Sequence, residues 1–180
     1  MMNTLHQSCA FTGHRPASYP WRYDEQAEAC KKLKAVLFSQ IKALAEAGVT
    51  HFLSGMAQGA DLWAAQAVLA LREANPALNL HCILPCEGQA DKWPPASQQL
   101  YHSILVHSNS TVYTSRAYYS GCMLARNRYL AEHAFTVLAV YNGDRRSGTA
   151  ATLRYAYKLN REILLIDPVT RNFRRIPPTR

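Results

Sequence analysis

Short apolar runs rich in β-branched and aromatic residues alternate along the chain with longer stretches whose apolar positions recur every three or four residues. Each short run closes on Gly, Pro, Asn or Ser, the residues that stop a strand. The short runs predict strands over 8–12, 51–54, 78–84, 110–113, 135–141 and 162–166; the longer stretches predict helices over 24–47, 61–74, 96–107, 123–133 and 149–160. In the first helix Leu33, Leu37, Ile41 and Leu44 share one stripe, and Gly48 supplies the stop. Strand and helix in strict alternation pack as a mainly parallel sheet with helices on both faces, because each right-handed crossover returns the chain over the sheet. The pattern therefore predicts an α/β, Rossmann-like three-layer sandwich. It forms one domain over 1–168, followed by a short basic C-terminal tail over 169–180 that contains Pro177 and Pro178.

Composition narrows the class. With 180 residues, 48% hydrophobic and 18% charged, the chain can fill a proper core, and disorder is excluded. No apolar run approaches the roughly 20 residues a bilayer span needs. The segment from Met1 to Gln7 lacks the basic-then-apolar layout of a secretory signal, so the expected location is cytoplasmic, away from membranes. Cys9, Cys30, Cys82, Cys86 and Cys122 are odd in number and scattered, without CxxC or zinc spacing; they read as reduced thiols, and no metal is expected. The formal charge of +8 suits an anionic partner, but Arg171, Arg174, Arg175 and Arg180 sit together at the end and account for half of the excess.

In a sheet of this kind ligands lie beyond the carboxyl ends of the strands, so the loops that follow strands carry the chemistry. After the first strand comes Thr12-Gly13-His14-Arg15-Pro16: either an ordinary turn, or a tight turn whose Gly13 admits a ligand and whose Arg15 forks onto phosphate. Ser54-Gly55-Met56-Ala57-Gln58-Gly59-Ala60-Asp61 follows the second strand and opens a helix, pointing amides at an anion; Asp61 there either meets a ribose or favours the first turn of its helix. Neither GxGxxG nor GxxxxGK[ST] is present. Asn142-Gly143-Asp144-Arg145-Arg146-Ser147-Gly148-Thr149 follows the fifth strand and offers further helix-start amides with a hydroxyl. Arg126 and Asn127 stand among apolar neighbours, so one of them faces inward and needs an anionic partner, and for Arg126, as for Arg15, a ligand phosphate is expected rather than a protein carboxylate. Three glycine-bearing strand ends converging on one crevice point to phosphate.

These segments in this order, together with Leu62-Trp63-Ala64-Ala65, the stretch from Pro85 to Trp93, Tyr101 and Ser147-Gly148-Thr149-Ala150-Ala151-Thr152, resemble the YpsA-like family of the SLOG superfamily across nearly the whole domain. The resemblance implies a Rossmann-like fold and a nucleotide-derived ligand, with ADP-ribose-like molecules the expected class. It does not imply a reaction. LOG-type phosphoribohydrolases of the superfamily place an acid after their Gly-Thr pair, and here Thr152 stands in its position, so base release is not expected. The stretch from Ser54 to Asp61 is also similar to the signature of DprA-type proteins, which bind single-stranded DNA.

The leading expectation is a binding or sensor domain for a nucleotide or nucleotide-sugar phosphate, with no cofactor required. Its site residues are Thr12, Gly13, His14, Arg15, Ser54, Gly55, Met56, Ala57, Gly59, Asp61, Arg126, Asn127, Asn142, Gly143, Ser147, Gly148 and Thr149. The alternatives are a nucleotide hydrolase, with His14, Asp61 or Glu87 as acid–base groups, and a nucleic-acid-binding module, disfavoured for want of an aromatic stacking run. Oligomeric state stays open, a homo-oligomer included.

Overall fold

The computed structural model describes residues 4–179. Met1, Met2 and Asn3, read above for a signal, and Arg180 of the tail lie outside the described residues. Strands are β1 (Ser8–Gly13), β2 (His51–Ser54), β3 (Asn79–Leu84), β4 (Ser110–Tyr113), β5 (Thr136–Val140), β6 (Glu162–Ile166) and β7 (Phe173–Ile176). Helices are α1 (Glu28–Glu46), α2 (Ala60–Arg72), α3 (Pro95–His107), α4 (Cys122–Glu132) and α5 (Gly148–Lys158). The sheet order is β4-β3-β2-β1-β5-β6-β7, parallel except for the last pair. The α/β Rossmann-like fold with a mainly parallel sheet is therefore the observed one.

Side chains alternate across the pleat and so feed two cores. Cys9 and Phe11 of β1 point into the large core under α1, α2 and α3, with Phe52, Leu80 and Leu138 of neighbouring strands. Ala10 of the same strand points the other way, to Leu53, Ile83 and Leu130. β5 is buried along its whole length, as a central parallel strand must be. Helix α1 buries Cys30, Leu33, Leu37 and Ile41, and it ends as its glycine stop predicts: Gly48 donates to Ala45 O at 3.1 Å and Val49 to Leu44 O at 3.0 Å. Its start differs from the sequence expectation. Asp24 Oδ1 accepts from the Gln26 amide at 3.0 Å, and that local turn holds residues 24–27 out of the helix.

β1 lies between β2 and β5, so chain progression reverses there, and the crevice between the carboxyl ends of β1 and β5 is the topological switch point. The end of the chain is a correction to the reading of a tail. Asp167 caps a turn, accepting from Val169 and Thr170, and returns residues 173–176 antiparallel to β6. Arg175 then forks onto the buried carboxylate of Glu162 at 2.5–2.6 Å, whose other oxygen accepts from Thr136. Among the described residues no helix is long and apolar enough to cross a membrane.

Candidate functional site

The switch point opens into a cleft of about 370 Å³. Four segments line it: Thr12, Gly13, His14, Arg15 and Ser18 after β1; Ala57 and Asp61 before and in α2; Met123, Arg126 and Asn127 of α4; and Asp144, Ser147, Gly148 and Thr149 around the start of α5. Eleven of the seventeen expected residues thus meet in one cavity, whereas Ser54, Gly55, Met56, Gly59, Asn142 and Gly143 do not line it.

Gly143 lies exposed on the α5 loop, and the other five shape the walls instead. Ser54 Oγ accepts from the Met56 amide at 3.1 Å and donates to Asp61 O at 3.0 Å, tying the loop to its helix. Met56 is held at φ 57°, a left-handed conformation that costs a non-glycine residue on the order of 1 kcal/mol. Gly55 has no side chain because Arg126 occupies the space: a Cβ there would overlap the guanidinium and stand 2.9 Å from Asp61 Oδ2. Gly59 takes φ +90°, and a Cβ would lie 2.8 Å from His14 O, so glycine is required by backbone packing against the 3₁₀ turn Pro16–Ser18. Asn142 donates its amide to His14 Nε2 at 3.2 Å and accepts from the Asp144 amide at 3.0 Å, which folds the α5 loop.

At the centre stands a buried ion pair. Asp61 and Arg126 are 4% and 5% exposed, with Arg126 Nη1 3.9 Å from Asp61 Oδ2. Arg126 also donates from Nη1 to Gly55 O and from Nε to Asn127 Oδ1 at 2.9 Å; Asn127 in turn donates to Gly148 O at 3.3 Å. This corrects the expectation of a ligand phosphate as the partner of the inward arginine: Arg126 is paired with a protein carboxylate. Asp61 Oδ2 further accepts from the Ala57 amide at 3.3 Å, so the protein's own carboxylate takes an amide of the glycine loop on which phosphate was expected. Asp61 Oδ1 is buried and has no partner. Burial pushes the Asp61 carboxyl up to about 6 against the opposing pull of Arg126, the Ala57 amide and Arg15. Burial lowers His14, outweighing Asp144, and its ring stacks on Tyr141 at 5.7 Å.

The opposite wall is donor-rich and carries both signs of charge, Arg15 and Asp144. Ser147 caps α5, accepting from Ala150 at 3.1 Å, while the Gly148 and Thr149 amides have no partner within the helix. Arg15 is exposed at the mouth. Thr152 lies behind this turn, bonded to Gly148 O at 3.1 Å, and does not line the cleft. Sequence reasoning passed over Ser18, Met123 and Asp144. Asp144 sat in view inside the third glycine segment, but Met123 carries no polar group to mark it.

A model of the YspA SLOG family matches residues 9–169, nearly the whole described chain. The chain belongs to this family. A UPF0398 protein of Halalkalibacterium halodurans is 31% identical over 142 residues, covering 76% of this chain and 75% of that protein. Among solved structures, DNA processing protein A from Helicobacter pylori superposes with a TM-score of 0.60 at 21% identity over 89% of this chain, and that of Streptococcus pneumoniae with 0.60 at 18% over 93%. The chain spans only 65% and 54% of those two proteins, and at such identity the likeness concerns the fold. For the YspA SLOG family member described here, the fold is thus common ground with DNA-processing proteins, and the chemistry must come from its own residues.

Proposed function

We propose that the cleft binds a nucleotide or nucleotide-sugar phosphate of the ADP-ribose-like class, and that the protein is a cytoplasmic binding or sensor domain for it. The observation that carries this is Asp61, a carboxylate of the cleft wall whose buried Oδ1 has no donor in the protein, on the same cleft as the amide-presenting start of α5. A ribose hydroxyl supplies the missing donor; a phosphate suits the Gly148 and Thr149 amides with Arg15 beside them. Calorimetric titration with AMP, ADP and ADP-ribose tests the reading. One of them is expected to bind, and Asp61→Asn is expected to weaken it at least ten-fold by turning one acceptor oxygen into a donor amide. Absence of binding by all three sinks the reading. A second reading, phosphates of single-stranded DNA, draws on the fold shared with Helicobacter pylori DNA processing protein A, which has a single-stranded DNA binding mode.

A further inference from the structure

The cleft offers a base no aromatic wall. The one aromatic ring among its lining residues is the His14 imidazole, already stacked on Tyr141. Aromatic surface lies just outside, on the loop from Thr114 to Gly121 that runs from the carboxyl end of β4 into α4. Along it Arg116, Tyr118 and Tyr119 are exposed, the two tyrosines at 73% and 48%. The loop is anchored: Thr114 N donates to Leu84 O at 2.8 Å, the Glu87 amide to Arg116 O at 3.3 Å, and Cys122 N to Tyr119 O at 3.1 Å. It therefore sits beside the end of β3 and leads directly into the first turn of α4, where Met123 lines the cleft. The loop itself carries Arg116, with the exposed Glu87 beside it through the amide that bonds Arg116 O. Arg126 and Arg128 are already paired, with Asp61 and Glu132. Paired exposed aromatics beside an arginine have the makeup of a surface on which bases stack.

We propose that Tyr118 and Tyr119, with Arg116, form a base-stacking ridge beside the cleft, and that the ligand they serve is single-stranded nucleic acid with one phosphate in the cleft and a neighbouring base on the ridge. This rests on the phosphate reading of the cleft. The loop leaves β4, three strands from β1 and so roughly 14 Å away at about 4.8 Å per strand, and returns to the cleft through Met123, a span that a neighbouring nucleotide bridges and a lone phosphate does not.

The test compares oligo(dT) and oligo(rU) of about 12 nucleotides, within the usual single-strand site sizes, with dTMP and UMP, on the native protein and the double variant Tyr118→Ala/Tyr119→Ala. Both tyrosines are exposed, so the variant is expected to fold, and its unfolding temperature checks this. The oligonucleotides are expected to bind at least ten-fold tighter than the mononucleotides. The double variant is expected to lose roughly ten- to a hundred-fold for oligonucleotides, since stacking contributes about 1–3 kcal/mol per base, and nothing for mononucleotides. The tighter of the two oligonucleotides identifies the strand as DNA or RNA. Oligonucleotides no tighter than mononucleotides overturn the ridge and leave the cleft reading standing. Equal loss of both ligand types in the variant also overturns it, because the tyrosines then support α4 rather than bases. Binding of no phosphate ligand at all removes the cleft reading and the ridge with it.

Discussion

Asp61 is the residue on which site and stability meet. Its carboxyl is held up to about 6 from an ordinary 3.8, chiefly by burial, so the folded state keeps its proton at pH values where the unfolded chain has lost it. Stability from this group therefore rises as pH falls from about 6 towards 4, and is lowest above 6, where folding must bury the charge. Ligand binding has the opposite sign. An ionised Oδ1 accepts a ribose hydroxyl, and protonation removes part of that capacity. Affinity for the nucleotide that titrates in calorimetry is expected to fall as pH drops through about 6, and Asp61→Asn is expected to flatten this profile. A profile unchanged in the variant would show that another group titrates. In the sequence Asp61 was visible as a carboxylate opening a helix; its pairing with Arg126 was not, because 65 positions separate them and no local pattern brings α4 to the glycine loop. Likewise Gly55 and Gly59 were legible as necessary glycines, but their necessity lies in Arg126 and in His14 O.

At the scale of elements, periodicity located every α-helix and six of seven strands among the described residues, because central parallel strands and amphipathic helices are written in apolar spacing. β7 escaped because it is an edge strand. Phe173-Arg174-Arg175-Ile176 shows no strand-like alternation, and its order comes from a non-local pair, Arg175 with Glu162, where sequence shows only charge. The pair is unequal: Glu162 is buried, while the Arg175 side chain is 67% exposed. Arg175→Ala leaves a buried carboxylate with Thr136 as its remaining side-chain partner, and is expected to destabilise by about 1–3 kcal/mol. Arg174→Ala, on the same strand and outside any ion pair among the described residues, is expected to stay within about 0.5 kcal/mol of the native protein. Urea unfolding of the two variants makes the comparison; equal midpoints would show that β7 is held by its backbone ladder alone.

Across the whole molecule, the +8 charge means that any nucleotide is drawn to the surface whether or not it enters the cleft. Thermal unfolding separates the two. A ligand at a hundred times its Kd stabilises the folded state by about 2.7 kcal/mol, and for a domain of this size each kcal/mol moves Tm by roughly 2–4 °C. A nucleotide seated in the cleft is therefore expected to raise Tm by about 5–10 °C. Salt then reports where the stabilisation arises. Exposed charges are screened within about 8–10 Å at physiological ionic strength, but the Asp61 acceptor and the α5 amides lie in the cleft wall, with Arg126 buried behind them. The shares contributed by Arg15 at the mouth and by the exposed turn at Gly148 are open to screening. A mononucleotide shift is thus expected to survive an increase from low to several-fold higher salt with its larger part intact, provided the ligand is kept in the same excess over its Kd. A shift that vanishes with salt under that condition would locate the nucleotide on the basic exterior, and the switch-point cleft would lose its claim to the ligand.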